Sequence, residues 1–299
     1  MRIGICGTGR MGAAIATRLL GLGHEITVWN RTVAKTAPLA AAGAHVAATP
    51  AALAARSEAV ITILTDAAAI DGAYRGPDGL LAGDIAGKLF IEMSTVRPET
   101  ARALAEAVRA KGAIPVECPV GGTTGPAKEG KLFGFAGGTD ADVARARPIL
   151  EQLCRRIEHV GPVGSGSSMK LAINLPLLVF WQSFGEAVSL AHPLGLDPQR
   201  LMDIFTDTSG APNMLKNRAA SLATQLAGGN VPATVEVDNV RKDLRTMLDE
   251  ARSRGIGLPV AARALECFDQ AARDGHGAAD CTKLPAYWVE RGGRSASQD

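Results

Sequence analysis

Short apolar runs recur along the first half of the chain and are separated by segments with helical periodicity. The runs predict strands at residues 3–6, 26–29, 59–64, 89–93, 114–120, 132–136 and 157–160. The clearest helical segment is 99–110, where Ala101, Leu104 and Val108 recur at helical spacing. Strands that alternate with helices predict a mainly parallel sheet with helices on both faces.

The pattern changes after residue 161. The segment GPVGSGSS at 161–168 predicts a glycine–serine turn, and the apolar stretch at 169–191 predicts a long helix. Further helices are predicted at 200–205, 214–226, 237–253 and 259–273. The expected fold is therefore an α/β N-terminal domain at 1–162, an all-α C-terminal domain at 163–290, and a frayed polar tail at 291–299.

The first strand leads directly into the glycine-rich segment GTGRMG at 7–12, and a helical stretch and a second strand follow. This order of elements is the dinucleotide-binding fingerprint of a Rossmann domain. Gly7 permits a tight turn, Gly9 lets the backbone approach a pyrophosphate, and Gly12 lets the helix pack close to the strand. The helix N-terminus offers N–H groups and a partial positive charge to phosphates. The sequence therefore predicts a nucleotide site, the alternative being a glycine turn that serves packing alone.

The end of the second strand indicates which nucleotide binds. An NAD site usually has Asp or Glu about 20 residues past the glycines, on the ribose 2′-hydroxyl. This chain has Asn30, Arg31 and Thr32 at that point. Arg31 offers a fork of donors to a 2′-phosphate, and Thr32 offers a hydroxyl. NADP(H) is thus the predicted cofactor, the alternative for Arg31 being a solvated surface arginine.

Composition argues against several classes of partner. The chain of 299 residues has a net charge of +2 and only 4% aromatic residues, so we expect neither a nucleic-acid partner nor an anionic membrane surface. The longest apolar run, 175–181, is too short to span a bilayer. Five scattered cysteines without C-x-x-C spacing predict no metal site and no disulfide framework. No basic region or cleavage site precedes the first strand, so we expect no signal peptide and a cytoplasmic protein.

Lys170 and Asn174 are four residues apart at the start of the long apolar helix, so they share one face of it. A cation in the first turn of a helix is electrostatically disfavoured, which points to a reason other than stability. The alternative is a lysine that extends along the helix to the surface. The pair is therefore a candidate catalytic site.

Other candidates follow predicted strands. Gly121 and Gly122 come after such a strand, in the segment PVGGTTGPAKEG. Ligands of an open α/β sheet bind at the carboxyl ends of its strands, so the N–H groups of this segment are candidates for binding a carboxylate. A plain hairpin turn explains the glycines equally well. Thr95 also follows a predicted strand, so it is a candidate for facing a bound cofactor. Lys242 opens a helical turn in the C-terminal domain, where the alternative is an exposed Lys-Asp pair without a function.

Taken together, four segments resemble the β-hydroxyacid dehydrogenase family, which includes 3-hydroxyisobutyrate dehydrogenase, tartronate semialdehyde reductase and the glyoxylate/succinic semialdehyde reductases. The segments are GTGRMG (7–12), ECPVGGTTGPAKEG (117–130), GSGSSMKLAIN (164–174) and KDLRTMLD (242–249). In the family, the first segment binds the cofactor phosphates and the second binds the substrate carboxylate. The third carries the catalytic residues, and the fourth again contacts the cofactor. The resemblance covers nearly the whole chain. It implies an NADP domain, a long interdomain helix and a helical bundle, as in 6-phosphogluconate dehydrogenase, assembled as a homodimer or homotetramer.

The resemblance also implies hydride transfer between the nicotinamide and a small aldehyde, keto acid or β-hydroxyacid. Lys170 is then the general acid/base, with a pKa lowered by burial, and Asn174 holds the substrate oxygen. The implied cofactor-binding residues are Gly7, Thr8, Gly9, Arg10, Met11, Gly12, Asn30, Arg31, Thr32, Leu64, Thr65, Thr95 and Lys242. The implied substrate-binding residues are Thr95, Gly121, Gly122, Thr123, Lys170 and Asn174.

The glyoxylate/succinic semialdehyde reductase branch, which uses NADPH, matches best, but the chain departs from the family at two points. Many members have Ser where Gly121 stands, and its hydroxyl binds the substrate carboxylate. Only a backbone N–H remains here, although Thr123 offers a hydroxyl where many members have Gly. Pro176 follows Asn174 closely and predicts a kink in the helix at the active site.

Two other functions compete with this one. An imine reductase is similar over the full chain but usually carries Asp or Tyr at the position of Lys170. Non-catalytic NADP(H)-binding relatives lack that lysine. The apolar helix from Met169 has more hydrophobic surface than one small bundle covers, so we also expect at least a homodimer.

Overall fold

A computed structural model describes the backbone of residues 1–295 and the side chains of residues 1–292. The chain divides into two compact units, Met1–Ala172 and a second unit that begins at Ile173. The sequence placed this division at 162/163, in the glycine-rich segment. In the structure it falls inside a long helix, because the first turns of that helix pack with the first unit.

Within the described residues, six parallel strands form the main sheet of the first unit, in the order β3-β2-β1-β4-β5-β6. The strands are β1 (Arg2–Cys6), β2 (Glu25–Trp29), β3 (His45–Val46), β4 (Ala59–Thr62), β5 (Leu89–Glu92) and β6 (Ile114–Glu117). Both faces of this sheet are covered by apolar clusters, which is why its strands are continuous apolar runs. The predicted α/β Rossmann domain is confirmed.

A smaller sheet of three strands lies beside the main one. It contains β7 (Val120–Gly121), β8 (Leu132–Ala136) and β9 (Cys154–His159), with β7 antiparallel and β9 parallel to β8. The prediction of one strand over 114–120 was wrong, because the chain leaves the main sheet at Cys118 and Pro119. The backbone N–H of Cys118 still donates to the backbone carbonyl of Glu92 in β5. The Pro119 carbonyl instead accepts from the backbone N–H of Phe135 in β8.

Helices cover both faces of the main sheet. They are α1 (Arg10–Gly21), α2 (Ala37–Ala41), α3 (Pro50–Arg56), α4 (Ala67–Arg75), α5 (Pro98–Ala110), α6 (Thr124–Glu129) and α7 (Asp140–Leu153). In α5, Ala101, Leu104 and Val108 are buried, as their spacing predicts.

The long helix α8 runs from Ser165 to Ala191 and continues through Pro176. It begins four residues before the predicted start at 169, inside the segment that glycine and serine content assigned to a turn. By length and composition alone, Ser165–Leu194 is long and apolar enough to cross a membrane. Core helices of soluble proteins pass the same test, so this observation assigns no membrane role.

The second unit is helical, as predicted. Its helices are α9 (Pro198–Thr206), α10 (Asn213–Leu226), α11 (Val237–Ser253), α12 (Pro259–Ala271) and α13 (Leu284–Ser295). The sequence assigned 291–299 to a frayed tail. Helix α13 instead continues through Ser295, and residues 296–299 lie outside the described part of the chain.

Asp280 holds several segments of the second unit together. Its carboxylate is fully buried and accepts from the Arg218 guanidinium, from the Thr234 N–H at 2.6 Å and from the Thr282 hydroxyl at 2.8 Å. Burial alone would raise the pKa of Asp280, but hydrogen bonds from Thr282, Arg218 and Thr234 outweigh it and hold that pKa well below its usual range. Asp280 is therefore ionised in the folded protein at neutral pH.

Candidate active site

The glycine-rich segment joins β1 to α1. Gly7 has a φ of +101°, and its N–H donates to the Trp29 carbonyl at 2.8 Å. A Cβ on Gly12 would overlap the Gly7 carbonyl oxygen, whereas nothing lies within 4 Å of the Cβ position of Gly9. Gly9 is also exposed and is the N-cap residue of α1. The N-terminus of α1 thus has the open approach that a bound pyrophosphate needs.

Asn30 connects this segment to the end of β2. Its Oδ1 accepts from the Thr8 N–H at 3.0 Å, and its Nδ2 donates to the Thr32 carbonyl at 3.0 Å. Arg31 and Thr32 are exposed beside it. The strand end therefore presents a guanidinium and a hydroxyl, and no carboxylate, at the place where a dinucleotide's adenosine ribose binds.

The ends of β4 and β5 are joined at the same edge of the sheet. The Leu64 N–H donates to the Ser94 hydroxyl at 2.8 Å. Thr65 is exposed and Thr95 is half-buried, each just beyond its strand. Strand order reverses between β1 and β4, which is where open α/β sheets bind their ligands. The predicted cofactor-binding residues of the first unit therefore lie along one edge.

Of the predicted carboxylate-binding residues, Gly121 ends β7, and Gly122 and Thr123 lie between β7 and α6. Gly122 has a φ of +122°, and a Cβ there would lie 2.8 Å from Leu132 Cδ2. Thr123 is exposed, in extended conformation, and immediately precedes α6. Their role towards a substrate stays a prediction.

Lys170 and Asn174 both lie on α8, four residues apart. Lys170 is buried, with 8% of its surface exposed, and Asn174 is half-buried. Because α8 begins at Ser165, Lys170 is in the second turn. The expectation of a cation in the first turn was therefore wrong, and the dipole argument that rested on it loses its force. The burial of this lysine as a whole residue is the stronger sign of a special role.

Two buried glutamates at this edge were not predicted. Glu92 and Glu117 end neighbouring strands and are partners in register. Burial raises the pKa of each carboxyl, and hydrogen bonds to each oppose that rise. Glu92 accepts from the Thr62 hydroxyl at 2.5 Å and from the Ser94 N–H at 2.7 Å. Glu117 accepts from the N–H of Gly164, just before α8, and from the N–H groups of Gly166 and Ser167 in its first turn. The sequence feature that could have identified them is a charged residue at the end of an apolar strand.

Lys242 lies on α11 in the second unit. Its Nζ is 2.6 Å from the Asp243 carboxylate, and both side chains are partly exposed. The neighbouring Arg241 pairs with Asp269 of α12 at 2.6 Å. The cofactor contact of Lys242 stays a prediction. Among the described residues, no three His, Cys, Asp or Glu side chains are grouped to hold a metal ion.

Comparisons with known proteins agree with the fold of both units. Residues 2–161 match the NAD binding domain of 6-phosphogluconate dehydrogenase, and residues 164–288 match the NAD-binding domain of NADP-dependent 3-hydroxyisobutyrate dehydrogenase. The chain is 33% identical to glyoxylate/succinic semialdehyde reductase 1 of Arabidopsis thaliana, over 94% of this chain and 96% of that protein. It is 34% identical to 3-hydroxyisobutyrate dehydrogenase of Pseudomonas aeruginosa, over 89% and 90%.

Solved structures show the same relationship. A 3-hydroxyisobutyrate dehydrogenase from Salmonella typhimurium superposes with a TM-score of 0.85 at 26% identity, covering 95% of this chain and 99% of that one. A reductive aminase from Aspergillus terreus, in complex with NADPH, has a TM-score of 0.64 at 27% identity, covering 96% and 99%. Cofactor names differ among relatives, since an NAD-dependent L-serine dehydrogenase of Pseudomonas aeruginosa is 30% identical over 93% of this chain.

The two family models together span most of the chain, in the order of its two units. The fold, the glycine-rich segment between β1 and α1, and the relatives lead to one assignment. This chain belongs to the β-hydroxyacid dehydrogenase family of NAD(P)-dependent oxidoreductases.

Proposed function

We propose that the protein transfers a hydride between NADP(H) and the carbonyl carbon of a small aldehyde or keto acid, with Lys170 as general acid/base. The observation that carries this proposal is the burial of Lys170 on α8, whose first turn is bound to the carboxyl edge of the nucleotide-binding sheet through Glu117. The nicotinamide supplies or accepts the hydride. Lys170 donates a proton to the carbonyl oxygen during reduction and removes it from the hydroxyl during oxidation.

The other site residues orient the substrate in this proposal. Asn174, on the same face of α8, holds the substrate oxygen in line with Lys170. The Gly122 N–H and the Thr123 hydroxyl bind a carboxylate beyond the reacting carbon. Thr65 and Thr95, which follow β4 and β5, lie beside the nicotinamide half of the cofactor in this proposal.

A preference for NADPH over NADH is supported by the strand end at Asn30, Arg31 and Thr32, where no carboxylate repels a 2′-phosphate. Titration of both cofactors by fluorescence tests it. We expect tighter binding of NADPH, and equal or tighter NADH binding would contradict the proposal. Replacing Arg31 by Ala should weaken NADPH binding by about 1–3 kcal/mol and change NADH binding little. Arg56→Ala, which removes an exposed arginine outside the site, is the matched control.

The role of Lys170 is tested by Lys170→Ala. A general acid is worth about 10²- to 10⁴-fold in rate, so kcat should fall by that factor while NADPH affinity stays nearly unchanged. Lys170→Arg should not restore activity, because a guanidinium hardly releases a proton near neutral pH. Lys111→Ala, at an exposed lysine, controls for loss of one positive charge. If Lys170→Ala keeps more than about a tenth of kcat, the proton comes from another group.

The substrate class is tested by a screen with NADPH. The name of the Arabidopsis relative makes glyoxylate and succinic semialdehyde the first substrates to try. Cyclic imines test the second candidate, an imine reductase, which the similarity to the reductive aminase favours. Turnover of imines that survives Lys170→Ala would establish that alternative. Absence of turnover with any carbonyl or imine, despite tight NADPH binding, would establish a non-catalytic role.

We also propose at least a homodimer. Helix α8 leaves apolar side chains in water, with Ile173 44% and Leu190 86% exposed. Only 39% of the most apolar 18-residue window of Ser165–Leu194 is buried within one chain. Burial of this surface against a second copy would remove that cost. Light scattering at micromolar concentration should give a mass of two chains or more, and a monomer would contradict the proposal.

A further inference from the structure

Glu117 binds the first turn of the helix that carries Lys170. Its Oε1 accepts from the N–H groups of Gly164 and Gly166, the latter at 2.8 Å. Its Oε2 accepts from the Ser167 N–H at 3.2 Å and the Ser167 hydroxyl at 2.6 Å. A carboxylate has about four acceptor positions, so these four donors satisfy it completely. The N–H groups in the first turn of a helix have no acceptor within the helix, and Glu117 accepts from two of them here, those of Gly166 and Ser167.

These contacts fix α8 on the sheet at one point. Glu117 is the last residue of β6 and lies 47 residues before Gly164 in the chain. A Cβ on Gly166 would overlap the Phe135 carbonyl oxygen of β8, so the first turn of α8 packs closely against that strand. Lys170 follows Ser167 by three residues, on the next turn of the same rigid helix. The position of its ammonium group therefore depends on where Glu117 holds the helix.

We propose that Glu117 is a positioning residue for Lys170: it sets the height and rotation of α8 so that the ammonium group meets the substrate oxygen. This inference rests on the proposed role of Lys170. Glu117 touches no reacting atom in it. Its effect is on the geometry of proton transfer, where a displacement of about 1 Å can cost on the order of 100-fold in rate.

Glu92 offers a matched comparison. It is equally buried, ends the neighbouring strand and is the register partner of Glu117, but its bonds go to Thr62 and Ser94. The Thr62 hydroxyl also contacts the Tyr74 hydroxyl at 2.9 Å, and either oxygen can be the donor. In Glu92→Gln the new amide can donate to Thr62, which then donates to Tyr74. No such reversal is open at Glu117, because three of its four donors are backbone N–H groups.

The experiment compares Glu117→Gln with Glu92→Gln, in the wild-type chain and in the Lys170→Ala chain. Each variant is assayed for kcat, KM and NADPH affinity, with the folded fraction checked by circular dichroism. We expect Glu117→Gln to lower kcat about 10- to 100-fold with NADPH affinity changed less than about twofold. Glu92→Gln should change kcat less than about threefold. In the Lys170→Ala chain, Glu117→Gln should lower kcat by less than about twofold further, because the two residues act as one unit.

The outcomes separate this inference from the proposed function. If Lys170→Ala keeps more than about a tenth of kcat, the proposed function fails and this inference with it. If Lys170→Ala abolishes activity but Glu117→Gln matches Glu92→Gln, or lowers kcat by the same factor with and without Lys170, the positioning role alone is overturned. If Glu117 only stabilised the fold, Glu117→Gln would lower the apparent kcat by the same factor in the wild-type chain and in the Lys170→Ala chain, because each would lose the same fraction of folded protein.

A milder pair covers the case in which Glu117→Gln does not fold. Ser167→Ala removes one hydroxyl donor from Glu117 and leaves the three backbone donors in place. Ser165→Ala changes the same helix end without touching Glu117. We expect Ser167→Ala to lower kcat about threefold or more and Ser165→Ala to leave it within error. Equal kcat for the two variants would overturn the inference.

Discussion

Gly121→Ser tests the proposed binding of a substrate carboxylate by the turn after β7. Many family members have Ser at this position, and its hydroxyl binds the substrate carboxylate. In this structure, a Cβ on Gly121 would lie 3.7 Å from Phe133 Cβ and 3.8 Å from the Phe135 ring, which is ordinary van der Waals contact. Gly121 also does not have a positive φ. A serine therefore fits the present backbone, and its hydroxyl becomes available next to Gly122 and Thr123.

The size of the expected gain follows from one added hydrogen bond. A hydrogen bond to a charged group is worth about 1.5–3 kcal/mol, which corresponds to about 10- to 150-fold in kcat/KM. The steric cost is close to zero at these distances. Loss of a glycine also restricts the unfolded chain and offsets part of any strain. The net effect should therefore be a gain confined to substrates that carry a carboxylate.

The assay measures kcat/KM with NADPH for succinic semialdehyde and for butanal, which has the same chain length and no carboxylate. Gly121→Ser should raise the ratio of the two values by at least about tenfold. Gly122→Ser is the control, since its φ of +122° and the Leu132 contact at 2.8 Å make any side chain strained there. An equal gain for both aldehydes, or no gain for either, would refute the carboxylate assignment of this turn.

Three further predictions concern stability. Asp280→Asn should lower the free energy of unfolding by about 3–5 kcal/mol in urea denaturation, because it leaves the Arg218 guanidinium without its buried anion. Asp249→Asn, at an exposed pair, should change it by less than about 0.5 kcal/mol. The pKa of Asp280 is lowered in the folded state, so its stabilisation is present above about pH 4 and is lost as pH falls through the folded value. The free energy of unfolding of Asp280→Asn should therefore fall less steeply than that of the wild type as the solution is acidified. Glu92 has the opposite sign: its raised pKa favours the folded state below about pH 4.3, and this contribution is lost as pH rises through the folded value. Glu92→Gln should therefore reduce the decline of Tm between those pH values, and an unchanged Tm profile would contradict the burial of an ionisable carboxyl.

Sequence patterns predicted the elements that have strong periodicity or clear end signals. The main sheet, the α1 and α5 helices and the helical second unit are examples, because each buries a regular apolar face. Weak local patterns failed. Strand β3 has only two residues, His45 and Val46, and is defined by its partner β2 and not by its own composition. Helix α13 was missed because glycine and arginine near its end are typical of a tail, whereas its buried residues Leu284 and Tyr287 hold it in place.

The candidate site was predicted as a set of positions, and the contacts among them were not. Motif spacing identified Lys170 and Asn174, but it placed the helix start too late. At the observed start, the backbone N–H groups bond to Glu117, 47 residues before Gly164 in the chain, and no local pattern shows such a bond. The link from Asn30 to Thr8 is likewise a contact between distant segments. Sequence patterns describe each element alone, and tertiary hydrogen bonds decide where elements begin and which loops are joined.

The Asn30 amide links the proposed cofactor preference to the shape of the loop that follows β2. Its oxygen accepts from Thr8 and its nitrogen donates to the Thr32 carbonyl. An aspartate at this position would supply the carboxylate of an NAD enzyme and could still accept from Thr8, but it would face the Thr32 carbonyl with a second acceptor. Under the proposed preference for NADPH, one nucleotide change at this codon would alter that preference and release the loop that presents Arg31. A lineage moving from NADPH towards NADH would have to rebuild the Thr32 contact first, or begin its change at Arg31.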